Sequence, residues 1–467
     1  MIPTRPTSPA PRLPRREFIR TGAALAATSL LGVRAAGAPA VARAPGRARN
    51  VILCIADGVS QAHYNLGRAF KGAPLVFESW HCGALATAAA DSFITDSAAA
   101  GSAIATGHRT RNGAVSVDGQ DRPHRTILEA ARDAGRATGL VVTGGFTTAT
   151  AAVFAAHGGS RKASAELARQ MVQADLTVML GGGRDLLDRS LQASGGTSMG
   201  EHLRTRRYAL PTTAAALAAT PPGRTFGLFA AEALRPVIDR PLLAPTEPML
   251  PAMTRHALRS LDAQPDGFFL MVEGTQTDWA GHQNDPAMLV HELLEFDRAV
   301  AEVQAFAAGR DDTLVIVLSD HGCGGLALGN ARAQADRRGG LTPESLVAPL
   351  RGLSTSAVTL WEKHGIGAKP DAETVQRVLR EHWQIALSEA QAEEILLAAK
   401  NPHRDEDCDG VGRVFSRDFT YLDWTTHEHT AEDVPLYAWG PGAPRGPMHL
   451  AEIAGVMSRA LDVKLEG

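Results

Sequence analysis

The chain carries no excess of charge of one sign: 47 Lys and Arg stand against 50 Asp and Glu, a formal net charge of -3. A nucleic-acid binder that neutralises phosphates needs a basic surplus on the scale of a domain, so the composition argues against that class. Long apolar runs are also missing. The apolar stretch from Thr21 to Val33 falls short of the roughly 20 residues that cross a bilayer. Cysteines are few (Cys54, Cys82, Cys323 and Cys408), and their spacing fits no zinc finger. None precedes Cys54, which argues against lipoprotein attachment. No internal repeat recurs at solenoid periods. What remains is an ordinary globular composition, 44% hydrophobic and 21% charged over 467 residues, enough for one large domain or two smaller ones. Sixteen histidines are more than a bland enzyme needs, so their positions matter.

Arg15-Arg16 precede Glu17-Phe18-Ile19 and the apolar run, and small residues from Ala36 to Ala42 offer cleavage sites. Residues 1–42 therefore read as a twin-arginine signal peptide and 43–467 as the mature domain. The expectation is a periplasmic or secreted protein with no stable membrane anchor once the signal is removed. Export permits disulfides, but the spacing does not say which cysteines pair. Cys54, inside an apolar run, reads as a buried thiol.

Short apolar runs at 50–56, 139–143, 176–180, 267–273, 313–318 and 435–439 alternate with helical patterns such as 125–134, 163–172 and 288–307. Near-continuous apolar strands separated by helices predict an α/β fold: a large, mostly parallel central sheet with helices on both faces. Residues 204–224 read as a surface excursion. Helical segments at 371–383 and 388–400 make 338–402 an inserted helical cap. Sites in such sheets gather at the carboxyl ends of strands. Asp57 follows the first strand, Glu273 ends the fourth, and Asp320-His321 follow the fifth.

Four short stretches carry the chemistry. In Thr95-Asp96-Ser97-Ala98-Ala99-Ala100, a Ser heads a small-residue helix whose free N–H groups suit an anion. By itself this is more simply an N-cap serine. In Glu273-Gly274-Thr275-Gln276-Thr277-Asp278-Trp279-Ala280-Gly281-His282, Asp278 and His282 stand at i, i+4 and can share a helix face. Carboxylate plus imidazole is a zinc donor set. Ser319-Asp320-His321-Gly322 sits at a strand end, and His427-Glu428-His429-Thr430 precedes the last strand. Each alone could be a polar loop; together and in this order they are specific.

On these residues the chain resembles the alkaline phosphatase family from about Asn50 to the C-terminus. Further landmarks are Thr106-Gly107, Asn112-Gly113-Ala114, Met179-Leu180-Gly181-Gly182-Gly183-Arg184, Pro251-Ala252-Met253-Thr254, Phe268-Phe269-Leu270-Met271-Val272-Glu273-Gly274 and Asp320-His321-Gly322-Cys323-Gly324-Gly325-Leu326. The resemblance implies Ser97 as nucleophile and Arg161 as the phosphate-gripping arginine, with Asp96 positioning it. It implies two zinc ions, one held by Asp278, His282 and His429 and the other by Asp57, Asp320 and His321. It implies one magnesium held by Asp57, Thr150 and Glu273, with Asp57 bridging. Small phosphorylated substrates follow, while homodimer or monomer stays open.

Two positions depart from the family's usual residues: Thr148, where Asp or His is common, and Trp279, where Lys or His is common. Both put magnesium affinity, phosphate release and pH optimum in question. Separately, Asp405, Asp407 and Asp409 with Gly410 match the first half of a calcium loop, although Ser416 stands where the closing acid belongs. A solvated acidic turn is the alternative. His427 and His157 lie near the motifs without a definite role. Of the rival functions, a phosphodiesterase or sulfatase keeps the metals. The sulfatase pattern of Pro and Arg after the nucleophile is absent after Ser97. A non-catalytic phosphate or metal binder would not need Ser97.

Overall fold

The structure is a computed structural model, and it describes residues 47–187, 198–335, 341–400 and 408–466. The proposed signal segment, residues 1–42, lies outside the described residues. No described helix is long and apolar enough to cross a membrane.

Strand β1, Asn50–Ala56, is buried along its whole length. Alternate side chains point to opposite faces of a strand, so β1 contributes to two cores. Ile52, Cys54 and Ala56 join one hydrophobic cluster, and Val51, Leu53 and Ile55 join the other. This two-sided burial is why the run is apolar without alternation.

The other sheet strands are β2 His81–Ala86, β3 Ala137–Gly145, β4 Val178–Gly182, β5 Thr225–Leu228, β6 Phe268–Gly274, β7 Thr313–Leu318, β12 Val434–Trp439 and β13 Met448–His449. Two short ribbons pair β8 Gly322–Cys323 with β11 His429–Thr430, and β9 Leu326–Leu328 with β10 Leu422–Trp424. The nine-stranded sheet has the order β13-β2-β12-β7-β1-β6-β3-β4-β5. From β7 through β5 all neighbours are parallel, and β12 runs antiparallel to both β7 and β2. The sheet is therefore mixed but mostly parallel, as expected.

One face is covered by the helices Gln61–Lys71, Leu250–Asp262 and Pro286–Ala307, which contribute Tyr64, Met253 and Phe296 to its core. The helices of the 338–402 segment lie on the same side. Leu346 and Val347 of Pro343–Arg351, Val378 of Ala372–His382 and Ile395 of Glu389–Ala398 merge into that core. The opposite face carries Ser97–Thr106, Ile127–Asp133, Ala149–Ala155, Ser164–Gln173 and Leu450–Leu461. All four cysteines are free thiols, and burial pushes that of Cys54 up.

Of the calcium loop expected from Asp405, Asp407 and Asp409, the first two acids lie outside the described residues. Asp409 opens the helix Asp409–Phe419, so the described part of that loop is helical. Ser416, where a closing acid would belong, is buried and its hydroxyl accepts from the Trp424 indole at 2.9 Å.

Candidate active site

The central strands β7, β1, β6 and β3 are adjacent, and each ends in a polar residue of the site. Beyond β7 come Asp320 and His321, beyond β1 comes Asp57, and β6 carries Glu273 opposite Ile55 of β1. Thr150 follows β3 in the helix Ala149–Ala155. Asp278 and His282 lie in the helix Gln276–His282 after β6. His429 arrives from far along the chain through the β8–β11 ribbon, where it faces Cys323. Gly58 lets these segments meet. Its φ is +70°, and a Cβ there would stand 2.5 Å from Asp278 Oδ1.

The donors fall into two groups. In the first, Asp278, His282, His429 and Cys323 offer ligand atoms within 4.8 Å of one another. His282 Nδ1 donates to the carbonyl of His427 at 2.5 Å, and His429 Nδ1 donates to the carbonyl of Thr95 at 2.8 Å. Carbonyls only accept, so each Nδ1 keeps its proton and the two Nε2 atoms, 3.2 Å apart, are the ones left to face inward. Asp278 lies 3.3 Å from one of them and 3.6 Å from the other. In the second group, Asp57, Asp320 and His321 converge: His321 Nε2 is 3.2 Å from Asp320 Oδ2 and 3.6 Å from Asp57 Oδ1. The other Asp57 oxygen, Oδ2, accepts from Thr150 Oγ1 at 3.3 Å. Asp57 thus presents its two oxygens to two different neighbourhoods, as a bridging carboxylate would.

The electrostatics suit cations. Asp57, Glu273, Asp278 and Asp320 are all buried. Among the described residues, no hydrogen bond reaches Asp57 Oδ1, Asp278 Oδ1, Asp320 Oδ2 or either oxygen of Glu273. Burial first, then the crowd of like charges, pushes the carboxyl of Asp57 well up. Burial takes Glu273 to about 8 and Asp320 to about 6. His282 is carried up to about 9; burial acts to lower it, but the Asp278 carboxylate outweighs that. Asp278 is itself lowered, its burial outweighed by His282 and His429. Burial and then His429 keep His321 neutral, with a lone pair to offer. Orphaned buried carboxylates beside inward-facing imidazole nitrogens fit divalent cations.

Ser97 faces this arrangement. It is buried at the head of Ser97–Thr106, and its Oγ lies 3.1 Å from His321 Nε2. Asp96 caps the helix by accepting from the Ala99 amide at 2.9 Å, a contact of the kind that contributes about 1 kcal/mol. Its other oxygen accepts from Arg161 Nη1 at 3.1 Å. Burial raises the Asp96 carboxyl, but the Ala99 amide, Arg161 and the Gly113 amide together bring it below the usual range. The structure thus brings every expected metal-site residue and Ser97 to one edge of the sheet, with Arg161 tethered to the residue preceding Ser97.

Thr148 stands at the N-cap position of the helix carrying Thr150, and its hydroxyl donates back to the Gly145 carbonyl at 2.8 Å. With Trp279, Ser164, Asp185 and Glu232 it lines a cleft of about 290 Å³. His157 is engaged elsewhere, by Glu129 at 3.0 Å and the Ser116 carbonyl at 2.9 Å. His427 does belong to the site, through its carbonyl. Cys323 was not singled out as a site residue from the sequence, because its place beside Asp278 depends on the β8–β11 pairing.

The fold and the site together define a metal-dependent hydrolase on a doubly covered α/β sheet. Comparison with known proteins gives the same class a narrower name. Residues 48–463 match the family model described as alkaline phosphatase. Alkaline phosphatase 3 of Bacillus subtilis (strain 168) is 32% identical over 435 residues, 90% of each chain. Streptomycin-6-phosphate phosphatase of Streptomyces griseus is 34% identical over 67% of this chain and 81% of its own. The crystal structure of Thermus thermophilus alkaline phosphatase superposes with a TM-score of 0.81 at 26% identity, covering 93% of this chain and 96% of that one. The chain belongs to the alkaline phosphatase family, whose enzymes hydrolyse phosphate monoesters.

Proposed function

We propose that the protein hydrolyses phosphate monoesters of broad range through a phosphoserine intermediate on Ser97, at a site for two zinc ions and one magnesium. The observation that carries this reading is the placement of Ser97 Oγ, 3.1 Å from His321 Nε2 and beside both donor groups. Asp278, His282 and His429 would hold one zinc, and Asp57, Asp320 and His321 the other. Asp57, Thr150 and Glu273, all oxygen donors, suit magnesium. When bound, such cations lower the pKa of a nearby hydroxyl and neutralise charge on the phosphoryl group and the departing oxygen.

The chain's own part is positional. Ser97 Oγ attacks phosphorus in line, forming the Oγ–P bond as the bond to the ester oxygen breaks. Water then attacks phosphorus, and Ser97 Oγ departs. Two in-line displacements retain configuration at phosphorus. The helix head points its unpaired amides at the phosphoryl oxygens. Arg161 forks onto two of them, which a lysine could not do as well.

The test is chemical trapping. Incubation with labelled phosphate at low pH should leave label on Ser97. Label confined to another residue would reassign the nucleophile, and no label at all would leave a binder in its place; either result sinks the reading. Parallel assays with an aryl monophosphate, a bis-aryl phosphate and an aryl sulfate should favour the first.

Trp279 gives a further expectation. It follows Asp278 directly and lines the cleft with Thr148. An indole puts no positive charge beside bound phosphate. Trp279→Lys should therefore tighten competitive inhibition by inorganic phosphate about tenfold, as a charge-assisted hydrogen bond would. An unchanged inhibition constant would place the phosphate away from this wall.

A further inference from the structure

Asn112 and Gly113 stand between the two parts of the site that must meet on phosphate, the head of the Ser97 helix and Arg161. The Asn112 side chain engages the first with both its ends. Its Oδ1 accepts from the Asp96 amide at 2.9 Å, and its Nδ2 donates to the Ile94 carbonyl at 3.0 Å. Its own amide donates to Asp91 Oδ1 at 3.0 Å. Three contacts from one residue thus pin the loop that delivers Ser97. On its outer side the loop is open to solvent, with Phe93 76% exposed and Ile94 46%; on its inner side His429 holds the Thr95 carbonyl.

Gly113 continues the connection. Its amide donates to Asp96 Oδ2 at 3.0 Å, the same oxygen that receives Arg161 Nη1. Its carbonyl accepts from the Arg161 amide at 2.7 Å. Gly113 has φ +81°, a conformation glycine adopts without strain. The chain beyond it bridges antiparallel to the segment bearing Arg161: Val115 and Gly158 exchange hydrogen bonds of 2.8 and 2.9 Å. Arg111 adds a contact of 3.2 Å to the Gly159 carbonyl. The backbone of Arg161 and the backbone of Asp96-Ser97 are therefore fixed to one common segment, 111–115.

We propose that Asn112 is a positioning residue for phosphate recognition: it sets the register between the nucleophile and the arginine, and acts through Asp96 and Arg161 without touching substrate. This rests on the reading of Ser97 and Arg161 as nucleophile and phosphate ligand. Asn112 is itself exposed, so shortening it opens no cavity in the core. Loss of geometry, and not loss of packing, is the expected consequence.

A double-mutant cycle tests it in the metal-loaded full-length enzyme. Asn112→Ala should lower kcat/KM for an aryl monophosphate about tenfold and weaken inhibition by inorganic phosphate by a similar factor, the cost of a misplaced ligand. Metal content and Tm should stay near those of the parent. In an Arg161→Ala background, adding Asn112→Ala should cost less than about twofold, because the group being aligned is gone. A full tenfold loss in both backgrounds, or no loss in either, overturns the proposal. If Arg161→Ala by itself changes neither kcat/KM nor phosphate inhibition, the assignment of the arginine fails instead, and the two failures are distinct. Should Asn112→Ala not fold, Asn112→Asp carries the same cycle: it keeps an acceptor for the Asp96 amide and loses the donor to Ile94. A loss in that variant that disappears in the Arg161→Ala background supports the coupling; full activity, or a loss additive with Arg161→Ala, refutes it.

Discussion

Ser97→Ala should reduce kcat by about 10³-fold or more while leaving the fold and the donor groups in place. Alanine is the best helix former, and the cap that starts this helix comes from Asp96, not from Ser97. The substitution removes one buried hydroxyl and leaves the neighbouring Ala98 and Ala99 packed as before. Substrate binding through Arg161 and the helix amides should survive, so the loss falls on kcat more than on KM. What remains would be direct attack by water on bound ester, which inverts configuration at phosphorus where the parent retains it. Steady-state kinetics and the stereochemical outcome with a chiral phosphate ester check both halves. A variant keeping a tenth of the parent's kcat would mean that another group forms the first bond.

Removing divalent cations should cost as much activity and also destabilise the fold. The buried carboxylates of Asp57, Glu273 and Asp320 would then lack counter-charge. At free metal about a thousand times Kd, each occupied site adds about 4 kcal/mol of stability, and chelation forfeits it. The metal-free protein also acquires a pH dependence whose sign follows from the shifts. With Glu273 at about 8 and Asp320 at about 6, these groups keep their protons to higher pH when folded than when unfolded. The folded state then binds more protons, so stability is fully present below the unfolded values near about 4 and falls as pH rises through the folded ones. Metal rebinding at pH 7 should expel protons, and affinity should climb up to about pH 9, where His282 also gives up its proton. Calorimetric titration of chelated protein in two buffers of different ionisation enthalpy measures that release. Rebinding without proton release, or activity that survives verified removal of metal, would contradict the site as described.

Much of the fold was legible because its central strands are buried on both faces. β1 and β7 were bounded correctly by the ends of their apolar runs, with Asp57 and Ser319 marking where burial by the sheet gives way to polar function. The helices Ala372–His382 and Glu389–Ala398 announced themselves through Asp371 and Ser388, whose side chains cap them. β2 left no such trace: most of it is only partly buried, and its neighbours β12 and β13 come from the far end of the chain. β5 is four residues long and lay just beyond a segment taken for surface. The site was legible wherever a ligand type ends a strand. Cys323 and Asn112 were not, because neither is a metal ligand in the family pattern. What each does is fixed by a pairing or a hydrogen bond between segments far apart in sequence.

His429 reaches its partners only through the ribbon formed by Gly322–Cys323 and His429–Thr430. The first donor group therefore closes only when these two distant segments pair. A chain cut short before His429 would still carry Asp278 and His282, but it would lack the second imidazole beside them.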